Sequence, residues 1–179
     1  LFYPGVNVEV YQAHDDNTHQ IKDIESLIER KVDLLIVAPN EAEAITPVIE
    51  KAYDAGIPVI LVDRKINSKK YTAYVGADNY EIGRKAGEYI ADRLGGKGRV
   101  IEITGLRGST PAVERHRGMM EALKAAPGVQ VVASAEAGWF RQKAGEVMDT
   151  LLDAHPQVNL VFAQNDRMAI GAYEKARQK

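Results

Sequence analysis

The sequence has no cysteine at all. That excludes disulfides, thiol nucleophiles and thiolate-held zinc, and leaves the compartment open. No apolar run approaches the roughly 18 residues that a bilayer span needs. An excess of one charge is also missing. The 23 Lys and Arg against 25 Asp and Glu leave a net charge of -2, which argues against broad attraction to nucleic acid or an anionic membrane. Tryptophan occurs once, at position 139. No GxGxxG, HExxH or GxSxG motif occurs, so those dinucleotide, zinc-protease and serine-hydrolase signatures are absent.

What is present is the composition of a soluble globular protein, 45% hydrophobic and 27% charged over 179 residues. That length holds one α/β domain or two small ones. The chain opens at Leu1 without an initiator Met or signal peptide. It reaches Lys179 inside a helical pattern with no cap after it. A piece cut from a longer protein, incomplete at both ends, is therefore expected.

Apolar runs of strand length alternate with segments of helical period, the mark of repeated βα units and a parallel sheet. Strands are expected over Val6–Tyr11, Asp33–Ala38, Pro58–Val62, Tyr71–Gly76, Arg99–Thr104, Val129–Ser134 and Val158–Phe162. The second is a continuous Leu-Leu-Ile-Val run and is expected to be buried on both faces. Helices are expected over Thr18–Lys31, from beyond Asn40 to Gly56, and over Tyr80–Leu94, Ser109–Ala126 and Arg141–Ala154. A last one runs from Asn165 or Asp166 to the end. Asp16 or Asn17 is the expected cap of the first helix. Gly83, Ala86 and Gly87 put small residues on one helix face, suited to a close approach to the sheet. Gly76-Ala77-Asp78-Asn79 reads as a short crossover and marks the expected boundary, giving lobes 1–77 and 78–179.

In such folds ligands bind outside the carboxyl ends of the strands. The polar residues there include His14, Asp15 and Asp16; Asn40 and Glu41; Asp63 and Arg64; Asp78 and Asn79; Gln164, Asn165 and Asp166. Gly95-Gly96-Lys97-Gly98 leads from a helix into a strand, the wrong order for a phosphate loop, and reads as a helix stop. His14-Asp15-Asp16 could ligate a metal, but a capping cluster explains it more cheaply. The rest suits a polyhydroxyl ligand. A carboxylate such as Asp63 accepts from two adjacent hydroxyls, and guanidiniums such as Arg64 and Arg115 donate in a fixed fork. An indole such as Trp139 packs on the C–H face of a sugar. The structural alternatives are an Asp63–Arg64 ion pair, a cap at Asp166 and a Trp139 that merely covers a sheet edge.

The segments VDLLIVAPNE, GIPVILVDRKI, YVGADNYEIGRKAGEYI, ITGLRGSTPAVERHRGM and VNLVFAQNDRMAIGAY resemble type I periplasmic sugar-binding proteins of the ribose-binding kind. The lactose-repressor family shares that ligand-binding fold. The resemblance implies a two-lobed periplasmic-binding-protein-like fold, each lobe a parallel sheet sandwiched by helices, with the sugar in the cleft between them. Carried over, the family's sugar-contacting Asp-Arg pair matches Asp63 and Arg64, its second-lobe arginine Arg115, its loop aromatic Trp139, and the Asn of its QND motif Asn165. Ala38 stands where ribose binders have Asn, and Trp139 where they have Phe; both departures point away from ribose itself.

The resemblance also extends to the sensory domains of hybrid two-component sensor kinases. The expected function is thus periplasmic recognition of a neutral monosaccharide, without catalysis, cofactor or metal. The expected partner is a transporter permease or a sensor's membrane-linked signalling domains, with no direct nucleic acid contact and with homodimerisation left open. The alternative is the effector-binding core of a lactose-repressor-type regulator.

Overall fold

The computed structural model describes residues 4–179; positions 1–3, the start of the first expected lobe, lie outside it. Two three-stranded parallel sheets organise the chain. The first comprises β1 (Leu35–Val37), β2 (Val59–Val62) and β3 (Ala73–Val75), in that order. Helices α1 (Asn17–Glu29) and α2 (Ala42–Asp54) flank it. Ile24, Leu35, Val37, Ile45, Ile49, Val59 and Leu61 form its core. Asp16 caps α1, its carboxylate accepting from the His19 N–H at 2.9 Å, so the capping reading of His14-Asp15-Asp16 holds.

Two expectations for this sheet fail. Val6–Tyr11 forms no ladder, and Val6, Val8 and Val10 are exposed. The segment is tethered instead by Glu9, whose carboxylate pairs with Arg30 at the end of α1 at 2.6 Å. Alternating valines favour an extended chain, but a strand also needs a neighbour to pair with. Nor is β1 buried on both faces: Leu35 and Val37 are buried while Ile36 is 65% exposed. Both α1 and α2 pack on one core, so among the described residues helices cover only one face of this sheet.

The second sheet has the order β5-β4-β6, from β4 (Lys97–Thr104), β5 (Gly128–Glu136) and β6 (Leu160–Ala163). Its helices are α3 (Asn79–Arg93), α4 (Thr110–Leu123), α5 (Arg141–Ala154) and α6 (Asp166–Ala176). The chain leaves β4 for β5 on one side, then crosses back past β4 to reach β6. Right-handed crossovers in opposite directions put α4 and α5 on opposite faces. Distinct core clusters on the two faces follow, one around Val100, Met119 and Leu123 and the other around Ile101, Ile103, Met148 and Met168. Gly95 and Gly96, both at positive φ, end α3 as expected.

The small residues of α3 do not face the sheet. A Cβ at Gly83 would overlap the Arg115 carbonyl, and one at Gly118 the Tyr80 carbonyl. The stripe lets α3 and α4 touch backbone to backbone, a helix–helix contact that the same periodicity equally permits. No helix among the described residues is long and apolar enough to cross a membrane.

Candidate functional site

β4 and β6 are neighbours whose exit loops lead to helices on opposite faces, the switch point at which a parallel sheet opens a crevice. Arg115 reaches it from the second turn of α4. Its Nε donates to Asn79 Oδ1 at 2.9 Å and its Nη1 to the Gln164 carbonyl. Its guanidinium lies 5.6 Å from the Trp139 ring, within cation–π range. Burial pushes the Arg115 guanidinium below its ordinary value, and the negative charges of Asp63 and Asp166 act in the opposite sense. Arginine keeps its charge through such a shift.

Trp139 follows β5 with φ +75°. Its ring lies so close to Gly105, at the end of β4, that a Cβ there would overlap it. The ring also packs on the core face that holds Met148 and Met168. Its indole N–H is buried with no hydrogen-bond partner among the described residues. Asn165 Oδ1 caps α6 by accepting from Met168 N–H at 2.8 Å, and its Nδ2 donates to the Trp139 carbonyl at 3.4 Å. Arg115, Trp139 and Asn165 therefore form one contiguous group, and the cap of α6 is Asn165 rather than Asp166.

The first sheet contributes Asp63, at the end of β2. Its φ of +63° is unusual for a non-glycine residue. The Asp63 N–H donates to the Val75 carbonyl at 2.9 Å, and its own carbonyl accepts from Tyr74 Oη at 3.0 Å. Main-chain bonds thus hold the strained residue on both sides, while its carboxylate accepts no hydrogen bond among the described residues. Arg64 turns elsewhere, its Nη1 donating to the Asn40 carbonyl at 2.8 Å and to Asn40 Oδ1 at 3.2 Å. An Asp63–Arg64 ion pair is not formed. Asn40 is itself buried and bonded to Asn17 and Gln20, so it ties the loop after β1 to the start of α1 and, through Arg64, to the loop after β2.

The two sheets meet through polar contacts. The Ala42 N–H, at the start of α2, donates to the Gly108 carbonyl at 3.1 Å. The Lys65 N–H donates to Thr110 Oγ1 at 2.9 Å, and Lys65 Nζ lies 3.0 Å from Glu114 Oε1. None of Lys65, Thr110 and Glu114 stands out in the sequence, because each is an ordinary surface residue type. Glu102 does carry a signal, a carboxylate inside the apolar run Val100-Ile101-Glu102-Ile103, and it is wholly buried. A surface hollow between α5 and α6, lined by Phe140, Arg167 and Gly171 among others, contains none of the five predicted residues.

Oriented guanidinium donors, an unengaged carboxylate and an aromatic ring at facing strand ends suit an uncharged ligand rich in hydroxyls. The comparisons agree in kind. A family model described as a periplasmic binding protein domain matches residues 3–179. The chain is 37% identical over 170 residues to the ribose import binding protein of Bacillus subtilis (strain 168), covering 95% of this chain and 55% of that protein.

Among solved structures, the fructose binding periplasmic domain of a hybrid two component system superposes with a TM-score of 0.95 at 54% identity. That match covers 99% of this chain and 59% of the other. A protein from Mycobacterium smegmatis in complex with β-D-fucofuranose gives 0.91 at 34% identity, covering 97% and 59%. The chain spans a little over half the length of the curated relatives it matches.

Proposed function

The chain belongs to the periplasmic binding protein family, and from that premise we propose that it is the recognition module for a neutral monosaccharide outside the cytoplasm. The lobes divide at 77/78, between β3 and α3. Asp63 and Arg64 act from the first lobe, and Arg115, Trp139 and Asn165 from the second. The observation that carries the reading is Arg115, held by Asn79 and the Gln164 carbonyl against Trp139 while the charge of Asp63 reaches it from the other sheet. A ligand whose hydroxyls bridge those groups favours the closed arrangement by its differential affinity for it.

The module binds and does not catalyse. Its output is a sensor kinase's membrane-linked domains in preference to a permease, a choice supported by the higher identity to the hybrid two-component neighbour. Calorimetry of the full-length protein against D-fructose, D-ribose, D-galactose and other neutral monosaccharides tests the proposal. One of them is expected to bind, and Asp63→Ala and Trp139→Ala to weaken it about tenfold or more, the scale of losing a charge-assisted hydrogen bond. If no sugar binds, or if neither substitution changes binding, the proposal fails.

A further inference from the structure

Glu102 is the only acidic side chain wholly buried among the described residues, and no Lys or Arg pairs with it there. Burying an unpaired carboxylate is expensive unless donors surround it. Three do. Gln164 Nε2 donates to Oε1 at 3.0 Å, Ser134 Oγ donates to Oε2 at 3.1 Å, and His116 Nδ1 lies 2.8 Å from Oε2. These donors come from β5, α4 and the end of β6. An apolar residue at this position of a central strand would fill the core without such demands, so the network calls for a reason beyond packing.

The reason lies in Gln164. It stands one residue past β6, where the ladder stops after the Gln164 N–H bond to the Ile103 carbonyl at 3.0 Å. Beyond that point the ladder no longer holds the Gln164 carbonyl, which accepts from the Arg115 side chain instead. The Gln164 side chain is 4% exposed and fully used. Its Oε1 accepts from the Gly105 N–H at 3.0 Å, and its Nε2 also donates to the Ala112 carbonyl at 3.1 Å. Gly105 lies under Trp139, Ala112 precedes Arg115 by just under one helical turn, and the Gln164 carbonyl itself receives Arg115. One amide, oriented by one carboxylate, thus sets the carbonyl that Arg115 uses, the helix that carries Arg115 and the strand end on which Trp139 lies.

We propose that Glu102, acting through Gln164, is a positioning residue that holds Arg115 over Trp139 in the cleft. Its effect on sugar affinity rests on the function proposed above; its effect on Arg115 does not. A double-substitution cycle on the full-length protein, titrated with D-fructose, separates positioning from general stability. Glu102→Met removes the acceptor and Arg115→Lys removes the fork.

Each alone is expected to weaken binding about tenfold, and the pair little more than Arg115→Lys alone, since residues of one network do not act independently. Glu102→Gln keeps an acceptor for Gln164 and a partner for Ser134, and is expected to stay within about threefold of wild type. Should Glu102→Met not fold, Gln164→Met carries the same cycle. Effects that multiply in the double variant overturn the proposal, and so does a Glu102→Gln protein as weak as Glu102→Met.

If wild type binds none of the monosaccharides, the function fails while the positioning is still tested by Trp139 fluorescence without ligand. Glu102→Met should then raise acrylamide quenching of Trp139, as Arg115→Lys should. Unchanged quenching overturns the positioning as well.

Discussion

Lys65 Nζ lies 3.0 Å from Glu114 Oε1, a link from the loop after β2 to the helix after β4. Both side chains are partly shielded, at 33% and 19% exposure. Burial alone would lower the Lys65 ammonium, but the hydrogen bond and the charge of Glu114 outweigh it and raise it above its ordinary value. Because the shift is upward, the contribution is fully present below the ordinary lysine value of about 10.4. It is lost only as pH rises through the raised one. The pair joins the two sheets without belonging to the predicted ligand contacts, so it favours their approach directly.

Glu114→Gln is accordingly expected to weaken sugar binding about two- to fivefold, the range of a partly exposed ion pair worth about 0.5–1 kcal/mol. The loss should fall on the dissociation rate, where most affinity differences between variants of one site appear. Stopped-flow fluorescence checks it. An unchanged dissociation rate would show that the link is indifferent to closure.

Gly105 is the floor beneath the only tryptophan. Any side chain there overlaps the Trp139 ring, and the strain must displace the ring because β4 is fixed by ladders on both sides. Gly105→Ala is expected to shift Trp139 emission to the red and to lower sugar affinity about tenfold. Both follow from a platform moved away from Arg115. An unshifted spectrum would mean the ring has room that the packing denies it.

The parallel α/β order was legible in the sequence because β2, β4 and β6 announce themselves as short apolar runs, and Asp63, Arg64, Trp139 and Asn165 stand just past strand ends as read, with Arg115 on the helix after β4. Less was legible wherever a partner decides the outcome. Val6–Tyr11 has the alternation of a strand but finds no neighbour among the described residues, and Ile36 reads as core while none of their helices covers it. The glycines of α3 announce a close approach without naming the surface approached. Asn165 and Arg64 were legible as polar strand-end residues. That one caps α6 and the other turns to Asn40 depends on loop geometry that periodicity does not encode.

The close packing of α3 on α4 makes Gly118 intolerant of a methyl group. Its Cβ would overlap the Tyr80 carbonyl and sit 2.7 Å from the Arg84 nitrogen, both main-chain atoms that cannot rotate away. Gly118→Ala is expected to cost about 1–3 kcal/mol, read as a fall in Tm of about 2–4 °C per kcal/mol in a thermal melt. The gain in helix propensity from Gly to Ala, about 1 kcal/mol, works against this and sets the lower end. A stabilised variant would mean that the two helices can part at little cost.

At the amino-terminal end, Glu9 is held by Arg30 and Tyr11 and its carboxyl is lowered to about 2. A depressed carboxyl stabilises the fold above its ordinary value and loses that contribution as pH falls toward 2. The pair is exposed, so salt screens it. The Val6–Tyr11 segment is therefore expected to show lower backbone order by NMR relaxation in 1 M NaCl than at low salt. Arg30→Met should abolish that salt dependence. Salt-independent order parameters in the wild type would rule out the tether.

Asp63 presents the sharpest conflict between stability and function. Its φ of +63° suits glycine better than any side chain, and Asp tolerates the region at a smaller cost than most residues. Asp63→Gly should relieve that strain and remove only a carboxylate that accepts no hydrogen bond among the described residues, so the protein is expected to gain about 0.5–1 kcal/mol. The same change deletes the acceptor facing Arg115, and sugar affinity should fall about tenfold or more. Asp63→Asn separates the two effects, since it keeps the tolerated backbone and one acceptor and loses the charge. It should therefore leave Tm near wild type and bind between the wild type and Asp63→Gly. Chemical denaturation and calorimetry on the three proteins measure both quantities. If Asp63→Gly is less stable than wild type, the carboxylate makes a structural contact, and the strain at this strand end is not held for the ligand.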